Sequence, residues 1–208
     1  MASFFSSDLH LGHQNANVLC GRPYSSVEEM NEDIIFRHNS VVKPEDMVYY
    51  VGDVCLGKLA ESLPLLHQLN GTKMLILGNH DRPSMAYHHK KADDRSKWMK
   101  TYQEYFPAIF EQIELPLFTE EGVLVSHYPY GDPDFKDHAY EGRFASILPK
   151  NEGKWLIHGH VHGALKVKGR QINVGVDAWN GYPVSFDTIQ SIINGELAFP
   201  LQAYTITK

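Results

Sequence analysis

The sequence predicts an α/β fold, and three observations carry that expectation. Short apolar runs of strand length recur along the chain, helical patterns lie between the first of them, and strand signals crowd the second half from about Ile109. Ser3–Ser7 is the first run, and the spacing predicts further strands over Met47–Val51 and Met74–Leu77. Between the first two, Ser26 stands three residues before Glu29, which is a capping-box signature. Val27, Met30, Ile34 and Val41 then follow at helical spacing. Leu59, Leu63, Leu66 and Leu69 repeat that spacing before the third run. The segment from Pro83 to Tyr105 is polar and reads as partly helical. Later strands are expected over Val123–Ser126, Trp155–Ile157, Ala164–Val167 and Gln171–Val174. Asp187–Ile193 reads as a helix and Tyr204–Ile206 as a last strand. No repeat, low-complexity tract or linker divides residues 1–208, so a single domain is expected.

Composition narrows the function classes. The chain is 43% hydrophobic and 21% charged, as soluble globular domains are. No apolar run is long enough to span a bilayer, so no membrane partner is expected. The opening MASFFSSDLH has neither a basic n-region nor a long apolar h-region, which argues against a cleaved secretory signal. Cys20 and Cys55 are too few for a disulfide framework, and a cytoplasmic location is the expectation. The net charge of −6 argues against a dedicated surface for duplex nucleic acid. Twelve histidines stand out, because imidazole is the commonest transition-metal ligand.

Their placement matters more than their number. Each main apolar run ends in residues able to bind a metal: Asp8 and His10, Gly52-Asp53, Gly78-Asn79-His80-Asp81, His127, and Gly159-His160-Val161-His162. Asp8 and His10 stand two apart in a segment read as extended, which puts them on one side. Asp53 is a carboxylate after an apolar strand, and its two oxygens can bridge two cations. Asn79 supplies a neutral oxygen, while His80 can serve as an acid that does not bind metal, with Asp81 expected to orient it. His160 and His162 share a face at a strand end. Singly, each motif also reads as a cap, a turn or a structural histidine. Together they point to one site, since ligands in open α/β sheets gather beyond the carboxyl ends of strands. A nitrogen and oxygen set of this kind suits manganese, iron, zinc or nickel.

These motifs, in this order across residues 5 to 162, resemble the calcineurin-like metallophosphoesterase superfamily. The texture SDLHLGHQN, GRPYSSVEEMN and NVGVDAWNGYPVS is similar to its small bacterial and phage branch. The resemblance implies a four-layer α/β (α+β) fold, with two facing mixed β-sheets flanked by helices. It implies two divalent transition-metal ions per chain, manganese foremost. Asp8, His10, Asp53 and His162 would hold the first, and Asp53, Asn79, His127 and His160 the second. His80 would donate a proton to the leaving group. The expected activity is hydrolysis of small or nucleotide-type phosphodiesters, 2′,3′-cyclic nucleotides among them, by in-line attack of a hydroxide formed between the metals. A phosphomonoesterase or nuclease on the same site is the alternative, and a catalytically silent protein-binding scaffold is a remote one. Many members carry a second aspartate, then arginine, where this chain has Leu56 and Gly57, and Leu77-Gly78 rather than arginine precedes Asn79. Protein Ser/Thr phosphatase activity is therefore not expected.

Softer candidates for substrate contact are His13, Asn17, Arg22, Tyr128, Tyr130 and Arg143, with Arg22 as a phosphate grip. His158 is expected to be structural. His38, His67, His88, His89 and His138 are expected at the surface.

Overall fold

A computed structural model describes residues 1–88, 92–116, 118–131, 147–163 and 165–199. The elements run β1 (Ser3–Ser6), α1 (Ala16–Leu19), α2 (Val27–Val41), β2 (Met47–Val51) and α3 (Leu59–Ser62). They continue with β3 (Thr72–Ile76), α4 (Met85–His88), α5 (Ala92–Gln103), β4 (Ala108–Phe110), β5 (Gln112–Leu115) and β6 (Val123–Ser126). The last are β7 (Trp155–His158), β8 (Val167–Lys168), β9 (Gln171–Asn173), β10 (Val184–Ser185) and α6 (Phe186–Ile193).

Two mixed five-stranded sheets result, ordered β10-β1-β2-β3-β4 and β5-β6-β7-β9-β8. β1 to β4 are mutually parallel, with β10 antiparallel at the edge. In the second sheet β6, β7 and β9 are parallel, with antiparallel β5 and β8 at the edges. The period of two along each strand splits the first sheet between two cores. Phe4, Val48, Tyr50 and Leu75 face a core shared with Met30 and Ile34 of α2, Leu59 of α3 and Tyr102 of α5. Phe5, Val51 and Ile76 face the other way, onto Val123, Val125, Ile157 and Ile172 of the second sheet. The sheets are thus joined face to face by buried aliphatic and aromatic side chains, each worth about 1.5–3 kcal/mol when fully buried. α6 lies beside β10 and β1 and turns Ile189 and Ile192 into this same core.

Local chemistry explains the elements. The Ser26 hydroxyl accepts the Glu29 N–H and caps α2, while the Glu29 carboxylate reaches back to the Ser25 N–H at 2.8 Å. The leucine-spaced segment is not one α-helix. After α3 it tightens into a 3₁₀ helix over Leu63–Gln68, because Pro64 has no N–H to give and crowds the preceding turn. Leu59, Leu63, Leu66 and Leu69 stay buried all the same. The strand expected over Ala164–Val167 is displaced to Val167–Lys168, and Ala164 lies outside the described residues, as do Tyr204–Ile206, His89 and His138. His38 is a correction: it is buried, with Nε2 3.1 Å from the Asn70 carbonyl oxygen, and burial pushes its imidazole down to about 4. No helix among the described residues is long and apolar enough to cross a membrane.

Candidate metal centre

Parallel strands deliver their following residues to one edge. β1, β2 and β3 lead to Asp8 and His10, to Asp53, and to Asn79 and His80, while β6, β7 and β9 lead to His127, to His160 and His162, and to Asp177. The two edges are stitched together there. The Ser7 N–H donates to Val174 and its carbonyl accepts from Val176, both at 3.0 Å, while the Ser7 hydroxyl donates to the Val51 carbonyl at 2.6 Å.

The backbone is bent hard at this seam. Among the described residues, six that are not glycine have a left-handed φ, and five are predicted ligands: Asp8 (58°), His10 (51°), Asp53 (54°), His160 (70°) and His162 (49°). Each such residue costs about 1–3 kcal/mol and persists only where its surroundings fix it. Asp8 and His10 are therefore not on one side of an extended strand, as their spacing suggested. The turn at each residue, rather than strand alternation, aims both side chains inward. Two glycines permit the closeness. A Cβ on Gly78 would collide with the Asp53 carboxylate, and one on Gly159 with the Ser7 hydroxyl and the Asp8 carboxylate.

The seven predicted ligands meet. Ligand atoms of Asp8, His10 and His162 lie within 4.8 Å of one another, and so do those of Asp8, Asp53 and His127. Asp53 Oδ2 is 3.9 Å from His10 Nε2 and 3.4 Å from His127 Nε2, so it faces a histidine of each group, while Asp8 is the member the two groups share. Asn79 Oδ1 is 3.1 Å from His127 Nε2 and 2.8 Å from His160 Nδ1. His127 Nδ1 sits 2.8 Å from the Val51 carbonyl oxygen, which fixes the proton there and leaves the Nε2 lone pair facing the centre. His162 is held the same way, its Nδ1 2.8 Å from Asp177 Oδ2. Asp8 Oδ1 and His10 Nδ1 are buried without a hydrogen-bond partner.

The electrostatics suit a cation. Burial alone would raise the Asp53 carboxyl, but His127, His10 and His80 hold it well below the usual carboxylate range. Against its own burial, the charge of Asp53 pushes His127 up to about 9. Burial, then the neighbouring His127, pushes His160 down to about 3. Burial opposes but does not prevent the rise of His162 to about 11, which its hydrogen bond to Asp177 drives. Ionised carboxylates packed among imidazoles form a pocket in which a divalent ion can take the place of protons. The nitrogen and oxygen donors and the partnerless Asp8 oxygen fit such an ion.

The other candidates fall into place unevenly. His80 donates its backbone N–H to Asp53 Oδ1 at 2.8 Å, and its ring stands edge-on to His10 at 5.6 Å. Asp81 is a correction. Its carboxylate accepts the N–H groups of Asp53, Gly78 and Val54 at 2.9, 2.8 and 3.3 Å, tying two loops together instead of orienting His80. Arg22 is another correction. It forks onto Asp177 at 2.7 and 3.0 Å and donates to the carbonyls of Leu9 and Asp8 at 2.9 and 2.6 Å. Its guanidinium is thus spent inside the protein and grips no phosphate. Asn17 likewise donates to the carbonyls of Tyr24 and Ser26, holding the loop before α2. His13 lies with its ring 5.7 Å from that of His10. Tyr128 packs its ring against His127 and His160, whereas the Tyr130 hydroxyl donates to the Lys154 carbonyl. His158 is buried, its Nδ1 beside the Gly159 carbonyl. Arg143 lies outside the described residues.

Asp177 and Cys20 escape the sequence reading, although both touch His162. Asp177 had a usable signal, since it follows the alternating apolar residues Ile172, Val174 and Val176 much as Asp53 follows Met47–Val51. Cys20 had none, because it is set by how α1 folds back.

No protein-family model matches the chain. It is 34% identical to the Gene 66 protein of Mycobacterium phage L5 over 205 residues, covering 92% of this chain and 94% of that protein. It is 31% identical to the uncharacterized protein MJ1445 of Methanocaldococcus jannaschii over 199 residues, covering 91% and 90%. The crystal structure of AQ665 from Aquifex aeolicus, a protein of unknown function, superposes with a TM-score of 0.63 at 26% identity, covering 92% of this chain and 98% of that one.

Proposed function

The chain belongs to the family of the mycobacteriophage Gene 66 proteins, and from that premise we propose that it is a calcineurin-like metallophosphoesterase, a single domain hydrolysing small or nucleotide-type phosphodiesters. The observation that carries this is the convergence of Asp8, His10, Asp53, Asn79, His127, His160 and His162 from five strand ends: ligand atoms lie within 4.8 Å in each of two groups that share Asp8, one with His10 and His162 and one with Asp53 and His127, and Asn79 Oδ1 lies 3.1 Å from His127 Nε2 and 2.8 Å from His160 Nδ1.

Asp8, His10, Asp53 and His162 hold the first ion in this reading, and Asp53, Asn79, His127 and His160 the second. Two bound divalent cations would supply a water of lowered pKa and a clamp on phosphate oxygens. The protein's own residues do the rest. Asp53 stands between His10 and His127 and sets the spacing of the two positions. His127 and His162 are locked in the tautomer that presents Nε2. His80 stays outside the ligand set, half-buried beside His10, where it can give a proton to the departing oxygen.

The test is a substrate panel run on metal-depleted protein reloaded with manganese, iron, zinc or nickel. It compares bis-aryl diesters, aryl monoesters, 2′,3′- and 3′,5′-cyclic nucleotides and single-stranded DNA. Turnover of diesters above monoesters is expected, and it should vanish with chelator. A monoester preference overturns the substrate class. Stoichiometric metal with no hydrolysis of any phosphate ester overturns the enzyme.

A further inference from the structure

We propose that Cys20 is an additional ligand of the first metal position, so that this position carries a thiolate beside its nitrogen and oxygen donors. Cys20 lies just past α1, where its backbone N–H closes the last turn on the Ala16 carbonyl at 2.9 Å. Its Sγ lies 3.9 Å from His162 Nε2. That nitrogen is the one left open, because Nδ1 is engaged by Asp177 at 2.8 Å. Ligand atoms of Cys20, His162 and Asp177 fall within 4.8 Å of one another.

Asp177 is an unsuitable ligand, since Arg22 occupies both its oxygens and His162 shares one of them. It is a positioning residue instead. Arg22 ties it to the carbonyls of Asp8 and Leu9, so the His162 imidazole and the Asp8 loop are anchored to one residue. His10 stacks on His162 at 5.2 Å between ring centroids. His162 is the member common to the Cys20 group and to the group of Asp8 and His10, and the fully buried Asp8 keeps Oδ1 without a hydrogen-bond partner.

The separation fits a shared ion. With metal–sulfur and metal–nitrogen bonds of about 2.3 and about 2.1 Å, ligand atoms 3.9 Å apart subtend about 125°. Binding forms the sulfur–metal bond, and the thiol proton leaves to solvent. The consequence is selectivity. A thiolate favours zinc, cobalt or iron over manganese at that position, unlike the purely nitrogen and oxygen set read from the motifs. The inference rests on the proposed metal centre, and its test separates the two.

Metal-depleted full-length protein is titrated with cobalt(II) under reducing conditions and followed by absorption. Visible ligand-field bands report a protein-bound ion, and near-ultraviolet charge-transfer absorption reports a bond to sulfur. Both are expected. Cys20→Ser should lose the charge-transfer absorption and keep the visible bands, with zinc affinity falling at least about tenfold relative to manganese. Cys55→Ala should change neither. Visible bands without charge transfer in the unmodified protein overturn the role of Cys20 and leave the metal centre standing. Charge transfer that survives in Cys20→Ser does the same. The absence of any protein-bound cobalt spectrum overturns both.

Discussion

His127 and Val51 meet across the seam of the two sheets, with the imidazole Nδ1 2.8 Å from the carbonyl oxygen. The contact has two consequences at once. It satisfies the last carbonyl of β2, a group that Ser7 also reaches, and it fixes which histidine nitrogen faces Asn79 and Asp53. Packing of the sheets and presentation of a proposed ligand are therefore the same hydrogen bond.

His127→Ala should consequently fail in two ways. Bound metal should fall from two ions to about one per chain. The metal-free protein should also lose about 0.5–1.5 kcal/mol, because the buried Val51 carbonyl keeps the Ser7 hydroxyl but loses the His127 donor. Elemental analysis and urea unfolding in chelator check the two separately. Loss of metal with unchanged metal-free stability would detach the ligand role from the seam.

Asp81 makes a prediction about pH. Burial, with the Asp53 charge second, pushes its carboxyl up to about 7, against the pull of the Gly78 and Asp53 N–H groups. The unfolded chain releases that proton near 3.8. Between those values the folded state holds more protons, so stability falls as pH rises, and the cost is complete above about 7. Asp81→Asn mimics the protonated form. In metal-free protein it should be close to the unmodified chain at low pH and exceed it by pH 8, the gap widening on the order of 1–3 kcal/mol. Urea unfolding at pH 5 and pH 8 decides; a gap that narrows with rising pH refutes it.

Much of this was legible in the sequence, for identifiable reasons. Met47–Val51 and Val123–Ser126 appear as expected because they are short apolar runs with no competing pattern. The proposed ligand residues converge because strand ends in parallel sheets share an edge, a rule of topology that needs no side-chain detail. What failed was conformational. The inward aim of Asp8 and His10 depends on left-handed backbone that residue spacing does not encode. Arg22 looked like a substrate contact because a basic residue near a site has no visible partner until Asp177, 155 positions away, is brought to it. The same long-range closure brings Cys20 to His162, 142 positions on.

Arg22 can be tested directly. Its pair with Asp177 is buried on both sides, and breaking such a pair costs about 3–5 kcal/mol. Arg22→Ala should lower stability by that order. Arg22→Lys should recover little of it, since an ammonium cannot reproduce the fork. A phosphate grip predicts the opposite pattern: normal melting temperature with weakened inhibition by free phosphate.

Gly159 marks how little room the centre leaves. An added Cβ meets the Ser7 side chain and comes 2.6 Å from Asp8 Oδ2. Gly159→Ala should cost about 1–3 kcal/mol by overpacking and weaken metal binding by displacing Asp8. Gly131→Ala is the control, because among the described residues its Cβ meets only Leu148 Cδ1 at 3.8 Å. Calorimetric metal titration of both variants tests this; equal affinities would mean that Asp8 tolerates the displacement.

His80 carries the sharpest kinetic prediction. Its backbone is anchored to Asp53 at 2.8 Å, yet its side chain belongs to neither ligand group, so removing the ring leaves those donors in place. His80→Ala should therefore keep both metals. If the ring protonates the departing oxygen, its loss should scale with how much that oxygen needs a proton. Diesters with p-nitrophenolate leaving groups should slow only slightly, whereas those with alkoxide or ribose leaving groups should slow by about 10²–10⁴-fold. A series of diesters of graded leaving-group pKa, measured at matched metal content, gives a steeper slope for the variant. A slope equal to that of the unmodified enzyme, whatever the absolute rates, would assign His80 to phosphate binding instead.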